Sequence, residues 1–324
     1  MRQFNFICAI TAVLMAACSN TKSSTEEIKP PASQVLVPLA DPFIMLYNDT
    51  YYAYGTAAED GIEVLTSKDL KTWKRTANSK HKLALYKDDV YGNHSFWAPE
   101  VYYVNSKFYM YYSAEEHIAV ATADSPLGPF TQTVKKPMLE GEKAIDNTLF
   151  IDDDGTPYMF FSRFNDGLNI WVAQLEPDLT TLKSETLHPC IHLSQQWEKV
   201  WPRVNEGAFV IKHKGLYYLT YSANSYESPF YGIGCATASN PMGEWTKYPD
   251  NPLLQKPKGL VGVGHSATFK DKDGNLKIVF HAHSSENEIH PRKMYITSAH
   301  FETRNGVDRL VIDPNYQTPT LITH

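Results

Sequence analysis

Apolar runs of six to eight residues, rich in aromatics and bounded by polar turns, recur along the whole chain. They are Tyr51–Thr56, Phe108–Ala114, Pro157–Arg163, Leu216–Ala223 and Leu276–His283. Measured from Tyr52, Tyr109, Tyr158, Tyr217 and Ile278, the steps between them are 57, 49, 59 and 61 residues. A turn signal precedes each run, among them Asn48-Asp49-Thr50, His213-Lys214-Gly215 and Asp152-Asp153-Asp154-Gly155. These are hairpin signals. A further apolar run follows each, at Ile62–Ser67, Ile118–Ala123, Ile170–Leu175, Gly232–Ala238 and Met294–Ala299. Three units then close on an aromatic, at Trp73, Phe130 and Trp245. Five units of three or four strands, with no sustained helical period, predict an all-β, five-bladed β-propeller. A large β-sandwich would alternate in the same way but gives no reason for a period near 57 residues. One domain is expected, from residue 34 to 324.

The first residues depart from this pattern. Arg2 precedes an apolar run from Phe4 to Ala17, and Leu14-Met15-Ala16-Ala17-Cys18 follows the form of a bacterial lipobox. The run is too short to span a bilayer and reads as a signal peptide over residues 1–17. Cys18 is then the acylated new N-terminus, and the Ser/Thr/Lys/Pro-rich residues 18–33 form a flexible tether. The expectation is an exported chain, held to a bacterial membrane only through a lipid on Cys18, at the periplasmic or cell-surface face. Cys190 and Cys235 remain, and two buried thiols are expected in a core of this size.

Composition narrows the classes. Hydrophobic residues at 43% and charged residues at 20% describe a globular chain,. The formal net charge is −6, and loss of residues 1–17 removes only Arg2 among charged groups. An acidic chain of this kind is not built to grip nucleic acid through phosphates. Twenty Tyr among 13% aromatics suit strands, and also flat apolar faces such as sugar rings.

Candidate chemistry sits at the start of the strand preceding each turn. Asp41, Asp146, Glu206 and His265 lie 11, 12, 11 and 13 residues before the aromatic markers, and Glu100 lies 9 before its own. The innermost strands of a propeller line its channel, so residues at equivalent strand starts converge at one mouth. One acid near a turn ordinarily serves the backbone. Three at one register, each in apolar surroundings, predict carboxyl groups that face one another with at least one raised pKa. One protonated and one ionised carboxyl flanking a bond is the requirement of glycoside hydrolysis. Glu206, longer and flanked by Val204, Ala208 and Phe209, fits the acid; Asp146 can hold that proton by its charge; Asp41 fits the base.

These segments resemble glycoside hydrolase family 43: Asp41-Pro42, Phe96-Trp97-Ala98-Pro99-Glu100, Ile145-Asp146, Asn205-Glu206-Gly207, Gly264-His265-Ser266 and Pro291-Arg292-Lys293-Met294. In this order they cover about residues 38 to 315. The resemblance implies a five-bladed propeller and an inverting mechanism, with Asp41 as general base, Glu206 as general acid and Asp146 tuning and orienting the acid. It implies that Arg292 hydrogen-bonds the sugar and the base. It implies no cofactor for the chemistry, and a Ca²⁺ or Na⁺ ion at His265 low in the channel. Glu206 is followed by Gly207-Ala208 where many members have Gly-Pro, which leaves the sugar open. The expected activity is exo-acting release of α-L-arabinofuranose from plant polysaccharide or oligosaccharide. The alternatives are a β-xylosidase or galactan-directed enzyme, and a non-catalytic sugar-binding propeller.

Trp97 is expected to stack on the sugar and Phe43, two residues past Asp41, to line the pocket. Trp201 has no assigned role. His281, His283 and His290 read as a polar strand edge rather than a metal site, because no spacing completes a ligand set. Asp152-Asp153-Asp154-Gly155 reads as a turn, not a calcium loop. Gly262-Val263-Gly264 has no following helix, so no dinucleotide site is expected. The partner is a carbohydrate, and the oligomeric state is left open.

Overall fold

A computed structural model of the chain describes residues 33–200 and 203–323. The signal peptide, Cys18, all of the tether but Ser33, and Trp201 lie outside the described residues. The described chain is all-β, with four short 3₁₀ turns among its strands. Its strands form five sheets in a propeller arrangement.

The inner strands are Ala40–Tyr47, Trp97–Val104, Ala144–Ile151, Asn205–His213 and Gly264–Lys270. Each turns back antiparallel into a second strand: Thr50–Thr56, Lys107–Ala114, Pro157–Phe164, Leu216–Ala223 and Leu276–Ala282. Each second strand pairs with a third on its outer side. Inner strands touch their neighbours in cyclic order, first to second through to fifth, and fifth back to first. At the C-terminus, Thr320–Thr323 pairs in parallel with Thr72–Arg75 of the first sheet and antiparallel with Ser33–Leu36.

The second strands read as near-continuous apolar runs because both of their faces are covered by neighbouring sheets. Leu216–Ala223, for instance, is buried from Tyr217 onward. Large rings fill the wedges between sheets, and a buried Tyr keeps a partner for its hydroxyl. Tyr54 donates to Pro126 O at 2.6 Å, Tyr111 to Leu179 O at 2.7 Å and Tyr218 to Asp308 O at 2.6 Å. The closing aromatics do the same work at the rim. Trp73 is fully buried and donates Nε1–H to Leu70 O, and Phe130 is fully buried as well.

Several smaller expectations are resolved here. Gly155 N–H donates to Asp152 O at 2.9 Å, so the Asp-rich segment is a turn. Cys190 and Cys235 are free thiols, Cys235 buried and Cys190 half-buried. The polar-edge reading is corrected for two of the three histidines: His281 is 0% exposed and His283 is 5% exposed, whereas His290 is exposed. The fifth sheet's second strand is buried from Ile278 to Ala282, so His281 points into packed interior rather than solvent.

Candidate active site

Every inner strand begins with the same irregularity. Pairing slips between Ala40 and Phe43, Trp97 and Glu100, Ile145 and Thr148, Glu206 and Phe209, and Gly264 and Ala267. Each slip is a bulge whose extra residue takes left-handed backbone: Asp41 (φ 47°), Ala98 (45°), Asp146 (60°), Gly207 (59°) and His265 (48°). Bulges re-aim side chains beside active sites, and here five of them point strand starts towards one mouth.

The bulges correct the register read from spacing. Glu206 was expected at the same place as Asp41, Asp146 and His265, but Gly207 holds that place. Glu206 stands one residue earlier, paired with Ser222 as Ala40 is with Thr56. Glycine suits position 207 twice over. It takes positive φ without penalty, and a Cβ there would lie 3.1 Å from His265 Nδ1. Glu100 is also displaced: it sits on the far side of its bulge, level with Phe43 and Phe209, and its carboxyl accepts from Tyr102 OH at 2.5 Å. Burial raises the pKa of Glu100 to about 8.

Asp41 and Glu206 are held in opposite charge states. Arg292 donates to Asp41 through Nη1 (2.8 Å to Oδ1) and Nη2 (3.3 Å to Oδ2). Burial pushes the Asp41 carboxyl up, but Arg292, then His265 and His281, outweigh it and hold the group well below the usual carboxylate range. Among the described residues no cation contacts Glu206, and Arg292 lowers its pKa only from a distance. Burial first, with the nearby charge of Asp41, raises its pKa to about 7 against the opposing hydrogen bond from Tyr231, whose OH donates to Oε1 at 2.8 Å. Asp146 is likewise raised to about 7, by burial and by Glu206 and Asp41, with His265 opposing. Its Oδ2 accepts Gly207 N–H at 3.0 Å, which ties the third sheet to the residue after Glu206. The pattern follows from like charges in a dry mouth: one carboxyl ionises beside its cation and its neighbours hold protons.

Arg292 follows the second strand of the fifth sheet, and the Tyr226 ring lies over its guanidinium at 4.5 Å. Its Nε is buried and has no hydrogen-bond partner among the described residues. A cleft of about 800 Å³ opens beside it, lined by Ala40, Trp97, His290 and Arg292 and, further out, by Glu59 and Arg75. Trp97 is half-buried on that wall, where a sugar face can reach it. Phe43 is placed elsewhere, a correction to the pocket-lining expectation. It is buried deeper in the channel, 5.4 Å from Tyr102 and 6.4 Å from Phe209 between ring centres. The bulge between Ala40 and Phe43 breaks the alternation that would put residues 41 and 43 on one face.

His265 stands between the carboxylates, Nδ1 3.5 Å from Asp41 Oδ1 and 4.0 Å from Asp146 Oδ2. Among the described residues no group of three or more His, Cys, Asp or Glu side chains is placed to hold a metal ion. A hard cation asks for six or more oxygens. The two carboxylates nearest His265 are engaged by Arg292 and by Gly207 N–H.

Spacing missed Tyr231 and His281. Gly264 was the available signal for Tyr231, because a Cβ at 264 would lie 2.1 Å from its ring. A buried carboxyl and an arginine-paired carboxylate at the mouth of a propeller suit glycoside hydrolysis. The chain belongs to the glycosyl hydrolases family 43, whose sequence profile matches residues 34–304. It is 26% identical to a β-D-galactofuranosidase of Aspergillus niger, over 75% of this chain and 73% of that protein. It is 27% identical to an extracellular exo-α-(1→5)-L-arabinofuranosidase of Streptomyces avermitilis, over 84% of this chain but only 61% of that protein. Among solved structures, an endo-1,4-β-xylanase from Bacteroides thetaiotaomicron VPI-5482 matches at 49% identity and TM-score 0.84, over 90% of this chain and all of that one. A thermostable family-43 glycoside hydrolase matches at 37% identity and TM-score 0.79, over 87% of this chain and 95% of that one.

Proposed function

We propose that the protein is an inverting, exo-acting glycosidase that releases α-L-arabinofuranose from plant polysaccharide or oligosaccharide. One observation carries the chemistry: Arg292 pairs with the Asp41 carboxyl and favours its ionised form, while Glu206 is buried against the Tyr231 hydroxyl and burial favours its protonated form. With the sugar between them, Asp41 takes a proton from water as that water attacks the anomeric carbon. The bond to the leaving oxygen breaks, and that oxygen takes the proton of Glu206. The low pKa of Asp41 secures its charge at every working pH, at a cost in basicity. Asp146 accepts Gly207 N–H and so fixes the backbone directly after Glu206. Arg292 lines the cleft, where a sugar hydroxyl can approach its guanidinium, and Trp97 offers the ring a flat face. No step runs through a cation or cofactor.

The inverting course is supported by what separates the two carboxyls. They stand on the first and fourth inner strands; His281 of the fifth sheet contacts Asp41, Tyr231 donates to Glu206, and the two rings stack with centres 5.7 Å apart. Such spacing suits a carboxyl separation of roughly 6.5–9.5 Å, with room for water. We take each of the five sheets as one blade, in line with the cyclic contacts of the inner strands. The arabinofuranosyl reading draws on relatives such as the Streptomyces enzyme. A second reading, a xylose-directed enzyme, is favoured by the 49% identity to the Bacteroides protein. Nitrophenyl glycosides of arabinofuranose, xylose and galactofuranose, offered to the purified protein, decide between them; turnover of none would sink both.

We further propose that the chain is anchored by a lipid on Cys18. Among the described residues no helix is long and apolar enough to cross a membrane. Cys18→Ala is expected to move the protein from the membrane fraction to the soluble one; equal partitioning of the two forms would contradict the anchor.

A further inference from the structure

The five bulges are stitched to one another. In four of them the left-handed residue donates its N–H to a side chain on the second strand of the preceding sheet. Thr56 Oγ1 takes Ala98 at 2.9 Å, Ser113 Oγ takes Asp146 at 2.9 Å, Ser222 Oγ takes His265 at 2.7 Å and His281 Nδ1 takes Asp41 at 3.1 Å. The four acceptors are equivalent by register: Thr56 pairs with Ala40, Ser113 with Trp97, Ser222 with Glu206 and His281 with Gly264. Ser162, paired with Ile145, holds the same place in the remaining seam. There Asp146 takes the Gly207 N–H instead, and the buried Ser162 Oγ has no hydrogen-bond partner among the described residues. A short hydroxyl thus serves three seams, and the two that depart from it are the seams carrying Asp41 and Glu206.

A hydroxyl would satisfy Asp41 N–H as it does elsewhere in the ring. The imidazole also reaches what a hydroxyl cannot. Its Nδ1 lies 3.2 Å from Asp41 Oδ1, and its Nε2 lies 3.2 Å from Arg292 Nη1. The ring is fully buried and stacks at 16° on Tyr231, which donates to Glu206. We propose that His281 is a positioning residue for Asp41: it fixes the carboxylate and the Arg292 guanidinium in one orientation, and through Tyr231 fixes that orientation relative to Glu206. The inference rests on the reading of Asp41 as base.

A neutral imidazole has one N–H and one lone pair. In one tautomer Nδ1–H donates to Asp41 Oδ1 and Nε2 accepts from Arg292; in the other Nδ1 accepts Asp41 N–H and Nε2–H faces an Arg292 N–H, so the hydrogen bonds to carboxylate and guanidinium belong to the first. Both leave the ring wedged between the base's backbone, its carboxylate and the guanidinium. Burial, with Arg292 alongside, pushes the ring's pKa down to about 3, so it is not a competing cation.

His281→Ser installs the acceptor that the other seams use, which keeps the backbone bond available and removes the two side-chain contacts. His281→Asn keeps an amide at the Nδ1 position. In the full-length protein, His281→Ser is expected to lose about 10²-fold in kcat, the scale of a base misplaced by about 1 Å. KM should stay within about threefold, and His281→Asn should recover part of the loss. In a crystal structure of His281→Ser, the Asp41 carboxylate should have turned off Arg292 Nη1. An unmoved carboxylate with unchanged kcat would overturn the inference, as would a loss confined to KM or to thermal stability. A wild type that turns over no glycoside would fail the functional reading instead, and the carboxylate's orientation in the crystal would still decide the role of His281.

Discussion

Glu206→Gln is expected to slow hydrolysis of glycosides with poor leaving groups by about 10²–10⁴-fold, the scale of general acid catalysis. The substitution is close to isosteric, and Gln Oε1 can still accept from Tyr231 OH, so binding and fold should persist. What is lost is the proton for the leaving oxygen. The loss should therefore shrink as the leaving group improves, and nearly vanish for a dinitrophenyl glycoside. The pH profile makes the same point. Above about pH 7 Glu206 gives up its proton, so wild-type kcat/KM falls as pH rises through that value. Asp146 titrates in the same range, and the limb belongs to the pair. Asp41 stays ionised far into acid, so the acid side of the profile is broad. In Glu206→Gln the part of the basic limb owed to residue 206 disappears. A uniform loss across leaving groups, with the limb intact, would count against Glu206 as the acid.

Asp41→Asn should abolish turnover of water-dependent reactions. Asn accepts from Arg292 but cannot take a proton from the attacking water. It also leaves a buried guanidinium without its counter-charge, and breaking a buried pair can cost several kcal/mol, so a melting curve must accompany the kinetics. Added azide needs no base. It should restore turnover of an activated glycoside in the folded variant and yield a glycosyl azide of inverted configuration. Failure of azide to restore any activity in a folded protein would argue that Asp41 does something other than remove a proton.

The strands were legible because their burial on both faces writes itself into the sequence. Leu216–Ala223 and Gly232–Ala238 were read to the residue, the first because an aromatic run bounded by Gly215 and Asn224 leaves little freedom. The convergence of Asp41, Asp146, Glu206 and His265 was legible from the repeat alone. Their relative register was not. Counting residues assumes unbroken pairing, and five bulges break it, which moved Glu206 by one position and sent Phe43 into the channel. Gly207 carried the missing signal, because a glycine directly after a strand acid marks a backbone that needs positive φ. His281 was misread for a different reason. Alternation along one strand says nothing about which sheet comes next in the ring, and Asp41 is brought to His281 only by closure between the fifth sheet and the first.

Proton NMR of the first sugar released by the wild-type enzyme tests the central claim most directly. Single displacement by a water activated at Asp41, with Glu206 protonating the leaving oxygen, forms no glycosyl-enzyme. The first anomer to appear should therefore carry inverted configuration, with the other growing in later by mutarotation. A first product of retained configuration would contradict the account and make Asp41 a nucleophile rather than a base.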